Sequence, residues 1–220
     1  MERITNCWSC GKDVEEILFC SSCQSLQAPT DNYYDFFGLD HRLNLDLNAL
    51  ERRFYMLSRR LHPDVYFRRS QREQQFSLDA SAILNDAYRT LRDDISRSEY
   101  LLKENGFNIG EQKSENVPPE LLEEVFDLNM ALEELRQGDD DVRNQIEETE
   151  KKFLALRDEV DQSLKEAFLK YDQTRDRDVL VQIRGLLNRR TYIRNLIEQV
   201  EKELANGRGA ARGAPVLEGL

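Results

Sequence analysis

Apolar side chains return at helical spacing along most of the chain after residue 31. Leu50, Phe54, Leu57 and Leu61 recur at intervals of four, three and four behind Asp46, a suitable N-cap, and Pro63 ends that stripe. Phe76, Ala80, Ile83, Ala87 and Leu91 mark one face of a second helix, and Tyr100, Leu101 and Leu102 belong to a shorter one closed by Gly106. Ahead of these, residues 32–37 read as an aromatic-rich turn of helix ending at Gly38. Residues 105–117 are mostly polar and unpatterned, which predicts a linker, and Pro118-Pro119 open a helix that runs to Gln137. Val142, Ile146, Phe153, Val160, Leu164 and Phe168 continue the 3.6-residue repeat. So do Leu180, Ile183, Leu187, Ile193, Ile197, Val200 and Leu204. Three long amphipathic helices with short joints predict an antiparallel bundle over residues 118–205. Residues 206–220 are Gly/Ala/Arg-rich and aperiodic, the signature of a disordered tail. The predicted fold class is mostly α: a small N-terminal knuckle (1–29), a helical-hairpin module (30–104) and a three-helix bundle.

The knuckle rests on the cysteines. Cys7, Cys10, Cys20 and Cys23 form a C-x2-C-x9-C-x2-C pattern, and the chain has no other cysteine. Two CxxC turns offer four thiolates that converge tetrahedrally on a soft cation, and Gly11 relaxes the chain where a tight turn is needed. So short a segment has too little core to fold unaided, so bound metal would supply its folding energy. Zinc is the expected ion, although four thiolates do not separate it from iron of the rubredoxin kind. With four protein ligands no coordination position is open, so the site is structural. The alternatives are two redox CxxC pairs or unliganded thiols; a redox CxxC is normally built on a strand–helix unit that this segment cannot contain.

Charge narrows the function. The chain carries 31 Lys+Arg against 42 Asp+Glu, a formal net charge of -11. Residues 105–220 hold 25 of the acidic side chains against 17 basic ones. Acidity of this kind disfavours nucleic acid, whose affinity comes largely from cations on phosphates. No apolar run approaches the ~18 residues of a membrane span. The N-terminus has neither a basic-then-apolar signal nor an Arg/Ser-rich transit bias, so a cytoplasmic chain is expected, or a mitochondrial matrix one if a transit peptide has been removed.

His62-Pro63-Asp64 sits between the two strongest amphipathic helices of the middle segment. Proline there fixes the turn while an imidazole and a carboxylate face solvent together. The bland reading is a Pro-terminated loop with a capping Asp. The surroundings weigh against it: YYDFFGLD, ALERRFYMLSRRLHPDVY and LNDAYRTLRDDISRSEYLL resemble the J domain of DnaJ-type co-chaperones. With a CxxC…CxxC knuckle in front, an acidic three-helix bundle behind and the joining stretch SRSEYLLKENGF, the chain resembles HscB-type J proteins of iron–sulfur cluster assembly across residues 7–204.

That resemblance implies a set of roles. His62, Pro63 and Asp64 would engage the ATPase domain of a DnaK/HscA-type chaperone and trigger hydrolysis. The basic face of the preceding helix, Arg52, Arg53, Arg59 and Arg60, would meet a negative patch on that chaperone, with Arg68, Arg69 and Arg72 extending it. Such charge mainly steers encounter and weakens with salt; a solvated helix face is the alternative. The family often has Lys after the tripeptide, where Val65 stands here. The first bundle helix would hold an IscU-type scaffold protein through Leu122, Glu123, Phe126, Asp127, Met130 and Glu134. An acidic residue is usual at the Met130 position. A further client contact on the last helix matches Gly185, beside Leu186 and Leu187, and glycine supplies no anchor there.

The residues of that first bundle helix support the same surface independently. Leu121, Val125, Leu128, Leu132 and Leu135 fit a buried seam, while Leu122, Phe126 and Met130 repeat every four residues on a neighbouring face rimmed by acid. One stripe suffices for a bundle helix, so the second is surplus apolar surface unless both bury against the other two helices. Catalysis has no comparable support. His41 and His62 are the only histidines and have no partner set for acid–base work, and neither GxxxxGK[ST] nor GxGxxG occurs. A binding protein acting through another protein's ATPase is expected, with a zinc-dependent interaction protein lacking chaperone coupling as the alternative, and a thiol-based sensor as a weaker third.

Overall fold

The computed structural model describes residues 5–14, 17–107, 121–137 and 139–210. They form two compact units, one ending at Phe107 and one following it. The architecture is mostly α, in line with the periodicity. Most of the predicted linker and the start of the helix at Pro118-Pro119 lie outside the described residues.

The first unit opens with a ribbon. Strands β1 (Thr5–Asn6) and β2 (Asp13–Val14) pair antiparallel, and Phe19 bridges to Leu26 further on. The helices follow as α1 (Tyr33–Phe37), α2 (Leu47–Leu61), α3 (Pro63–Tyr66), α4 (Gln71–Arg92) and α5 (Asp94–Glu104). Asp46 caps α2 as expected, accepting from the Ala49 N–H at 3.0 Å. Gly38 ends α1 at φ 58, where a β-carbon would be strained. Tyr34, Phe36 and Phe37 of α1, Leu50, Leu57 and Leu61 of α2, and Leu101 and Leu102 of α5 are buried.

The buried face of α4 differs by one position from the predicted stripe. Ser77, Ala80, Leu84, Ala87 and Leu91 are buried, whereas Phe76 and Ile83 are only half-buried. Ser77 occupies a core position because its hydroxyl donates to the Leu61 carbonyl at 2.6 Å, and Ser81 reaches the same oxygen at 3.2 Å. Those two bonds close off the last turn of α2, where helix carbonyls lack internal partners. Phe76 is thereby free of the hairpin core and meets the N-terminal ribbon instead, edge-on to Trp8 with ring centres 6.3 Å apart. The ribbon, expected as a separate piece, packs on the helices because it has too little core of its own.

Arg97 is the other buried polar group that organises this unit. It is 5% exposed and donates through Nε to the Leu43 carbonyl at 2.7 Å and through a terminal nitrogen to the Leu91 carbonyl, tying the loop before α2 to the end of α4. Arg97→Leu keeps the volume but strands two buried acceptors, each costing about 1–3 kcal/mol. We expect a loss of about 3 kcal/mol, read as a thermal midpoint lowered by roughly 10 °C or more in the first unit.

The second unit comprises α6 (Leu122–Arg136), a 3₁₀ turn (Asp140–Val142), α7 (Arg143–Thr174) and α8 (Arg177–Ala210). Ile146, Phe153, Val160, Leu164 and Phe168 of α7 and Leu180, Ile183, Leu187, Ile193, Ile197, Val200 and Leu204 of α8 are all buried where these two helices pack together, and α6 packs against both. Asp161 pairs with Arg190, and Arg136 of α6 with Glu203 of α8. The last helix carries on to Ala210, past the point where its Gly/Arg composition predicts a tail, and residues 211–220 lie outside the described residues.

Candidate functional site

Three features carry chemistry or exposed recognition surface. The first is the tetracysteine ribbon. Its two CxxC turns are built alike. In the first turn the Cys7 N–H donates to the Lys12 carbonyl at 2.7 Å, and the Gly11 N–H donates back to the Cys7 carbonyl at 2.9 Å. Cys20 and Gln24 repeat the arrangement, with Cys20 N–H to Ser25 at 3.0 Å and Gln24 N–H to Cys20 at 2.9 Å. The residue after each pair is left-handed, Gly11 at φ 74 and Gln24 at φ 59. A left-handed conformation costs a residue with a β-carbon roughly 1 kcal/mol. Gln24→Gly should therefore tighten metal retention, and Gly11→Ala, whose new β-carbon meets nothing within 4 Å, should weaken it. Opposite changes of up to about fivefold in a chelator competition are expected.

The four sulfurs all lie within 4.8 Å of one another, with Cys7 to Cys23 at 3.6 Å and Cys10 to Cys20 at 3.7 Å. A tetrahedral ion with metal–sulfur bonds near ~2.3 Å needs sulfurs about 3.8 Å apart, so the donor set fits a tetrathiolate metal site. Polar groups missed in the sequence support the thiolates. Ser9 N–H and Gln27 Nε2 donate to Cys7 Sγ at 3.3 and 3.4 Å, and Ser25 Oγ lies 3.3 Å from Cys7 and 3.1 Å from Cys23. Gln27 also donates to Ser25 Oγ at 2.9 Å. Burial opposes ionisation of Cys7, but the Ser25 hydroxyl and the neighbouring N–H groups outweigh it and bring this thiol down to about 5. Ser25 lowers Cys23 as well. Cys10 is helped by the Lys12 amide, yet burial and the neighbouring thiols push it up to about 11. A cation removes that competition between sulfurs.

The second feature is the turn at residues 62–64. α2 stops at Leu61, and Pro63 starts α3 in the first-turn position that suits it. His62 caps α3, its Nδ1 accepting from the Asp64 N–H at 3.3 Å. The His62 and Asp64 side chains are 57% and 91% exposed and stand 3.5 Å apart. Val65 and Phe67 beside them are exposed too. All four arginines of α2 are exposed; Arg53 also donates to the Gly38 carbonyl at 2.7 Å, and the Arg60 guanidinium lies 3.8 Å over the Phe19 ring.

The third is the surplus stripe on α6. Leu121, Val125, Leu128 and Leu132 are buried, while Leu122, Phe126 and Met130 are 53%, 64% and 51% exposed. Glu123, Asp127 and Glu134 flank them in solvent. At Gly185 a β-carbon would meet nothing within 4 Å, so that exposed position offers open space and no anchor. Among the described residues no helix is long and apolar enough to cross a membrane.

Comparison with known proteins places this arrangement. The family model for the HscB C-terminal oligomerisation domain matches residues 117–201, which takes in the bundle. The human and mouse iron–sulfur cluster co-chaperone proteins HscB are each 30% identical over 201 residues, 89% of this chain and 80% and 81% of theirs. The chain belongs to the HscB family. An Arabidopsis thaliana HscB homolog is 33% identical over 156 residues, 69% of this chain and 61% of its own. Crystallographic human HscB superposes with a TM-score of 0.67 at 29% identity, covering 90% of this chain and 98% of that one. HscB from Vibrio cholerae gives 0.54 at 26% identity, covering 80% and 98%. These HscB relatives are named as co-chaperones or chaperones, not as catalysts of a substrate reaction.

Proposed function

We propose that this chain is a J-type co-chaperone that holds an IscU-type iron–sulfur cluster scaffold on α6 and stimulates the ATPase of a DnaK/HscA-type chaperone through His62-Pro63-Asp64, promoting cluster assembly and transfer. The observation that carries the reading is the presence of two exposed recognition features on two separate units: an HPD turn capped by His62 and an apolar stripe that bundle packing does not consume. Coupling an ATPase to a client calls for two such surfaces on one chain. Zinc in the tetracysteine ribbon is structural in this scheme, and the protein works in the cytoplasm or the mitochondrial matrix.

The test is steady-state ATP hydrolysis by a purified DnaK/HscA-type chaperone. Wild-type protein should raise the rate, and an IscU-type scaffold should raise it further than the sum of either addition alone. Stimulation without that synergy removes the scaffold from the scheme. Absence of stimulation with a cognate chaperone overturns it in favour of a zinc-dependent interaction protein.

A further inference from the structure

The ribbon grips the two helices that flank the HPD turn. Trp8 directly follows the ligand Cys7, and Phe19 directly precedes the ligand Cys20. Phe19 carries the Arg60 guanidinium 3.8 Å above its ring, from the last turn of α2 and two positions before His62. Trp8 takes Arg72, from the first turn of α4, at 4.9 Å, and the same guanidinium lies 5.5 Å from Phe76. Trp8 is itself oriented by its indole N–H, which donates to the Leu26 carbonyl at 2.7 Å. Each contact is a cation on an aromatic face, and the Phe19 and Trp8 rings are each one residue from a sulfur ligand.

We infer that the tetracysteine ribbon is a metal-dependent brace on the HPD turn, with Phe19 and Trp8 as positioning residues that act through Arg60 and Arg72. The ribbon's apolar groups, Leu18, Phe19 and Leu26, are too few to order it without the ion. Four thiolates around a divalent ion carry two net negative charges, which favours guanidinium groups beside the loaded ribbon. Loading therefore fixes both feet of the turn at once. It also holds Arg60 against Phe19 and away from the free cationic face that Arg52 and Arg59 present. Loss of the ion releases both arginines and loosens the turn. The brace rests on the metal fit alone; its consequence for ATPase stimulation rests on the co-chaperone reading.

Trp8 is the only tryptophan in the chain, so its emission reports the ribbon directly. Zinc-loaded full-length protein is compared with protein stripped by chelator under reducing conditions, following Trp8 emission and amide hydrogen exchange. Stripping should shift the emission to the red and speed exchange by about tenfold over residues 57–67 and 71–77, with α7 and α8 unchanged. Arg60→Gln and Arg72→Gln, both exposed helix positions that leave every cysteine in place, should bind zinc in full stoichiometry. Together they should make exchange around the turn insensitive to zinc. A red shift with no change in exchange at residues 57–67 makes the ribbon an independent knuckle and overturns the brace. No emission change on stripping overturns its metal dependence. Neither readout needs a chaperone, so failure of the co-chaperone reading shows separately, as unstimulated hydrolysis by a protein whose turn still responds to zinc.

Discussion

His62→Gln should return a stimulated DnaK/HscA-type ATPase to within a few per cent of its unstimulated rate while leaving scaffold binding and the thermal midpoint unchanged. The structure separates the two consequences. The His62 side chain is 57% exposed, and its bond to the Asp64 N–H is a modest cap on a one-turn helix. Its loss costs the fold about 0.5 kcal/mol or less. The turn keeps its shape because Pro63 restricts the backbone and because Ser77 and Ser81 hold the Leu61 carbonyl from α4. What Gln cannot reproduce is the flat ring presented beside the 91%-exposed Asp64 carboxylate. Truncating a central recognition side chain costs about 2 kcal/mol or more, which is ~30-fold in affinity at fixed chaperone concentration. Asp64→Asn should behave alike. A His62→Gln protein that stimulates like wild type would place the contact elsewhere on the first unit, and one that loses scaffold binding as well would point to global damage.

The helices and their core faces were legible because period is a one-dimensional property. Capping Asp46, the stop before Pro63 and the seam of α6 all follow from residue type and spacing. So does the surplus stripe, since Leu122, Phe126 and Met130 repeat at four on a helix that already has a core face. The four cysteines were legible for the same reason. The uses of individual polar side chains were not. Ser77 reads as a polar break in a stripe until the Leu61 carbonyl arrives opposite it, and Arg97 reads as one more surface cation until two carbonyls from distant segments converge on it. The arginines of α2 look equivalent in sequence, yet Arg53 reaches back to Gly38 and Arg60 covers Phe19, so only part of that row is left as free cationic surface. Phe76 reads as part of the hairpin core because nothing in its spacing reveals that Trp8, far away in the chain, packs against it. Contacts between a metal ribbon and a helix pair have no local signature.

Replacing Leu122, Phe126 and Met130 together by serine should weaken binding of an IscU-type scaffold by at least about 100-fold and leave the stability of the bundle almost unchanged. Each side chain is more than half exposed, so its loss removes little that the folded protein buries. The buried seam of α6, from Leu121 to Leu132, and the Arg136–Glu203 tie to α8 are untouched. Serine and phenylalanine have nearly equal helix propensities, and serine lowers it by only about 0.3 kcal/mol at Leu122 and at Met130, well under about 1 kcal/mol for the three sites together. In the complex the same side chains would lie at the centre of the interface, where an aromatic anchor such as Phe126 typically contributes about 2 kcal/mol or more. The acidic rim acts differently. Glu123, Asp127 and Glu134 stay solvated at the edge, so Glu123→Lys should slow association and flatten its salt dependence with a smaller effect on dissociation. Titration calorimetry separates the outcomes. Scaffold affinity that survives the triple substitution would move the client off α6, whereas affinity lost together with the thermal midpoint would mean that the stripe supports the bundle and not the client. Hydrolysis by the chaperone alone should still respond to the triple variant, because the HPD turn belongs to the other unit. Synergy with scaffold should vanish while basal stimulation persists, the converse of His62→Gln. That opposed pair of phenotypes is what a two-surface adaptor requires and what neither a simple zinc-dependent binder nor a lone J domain would give.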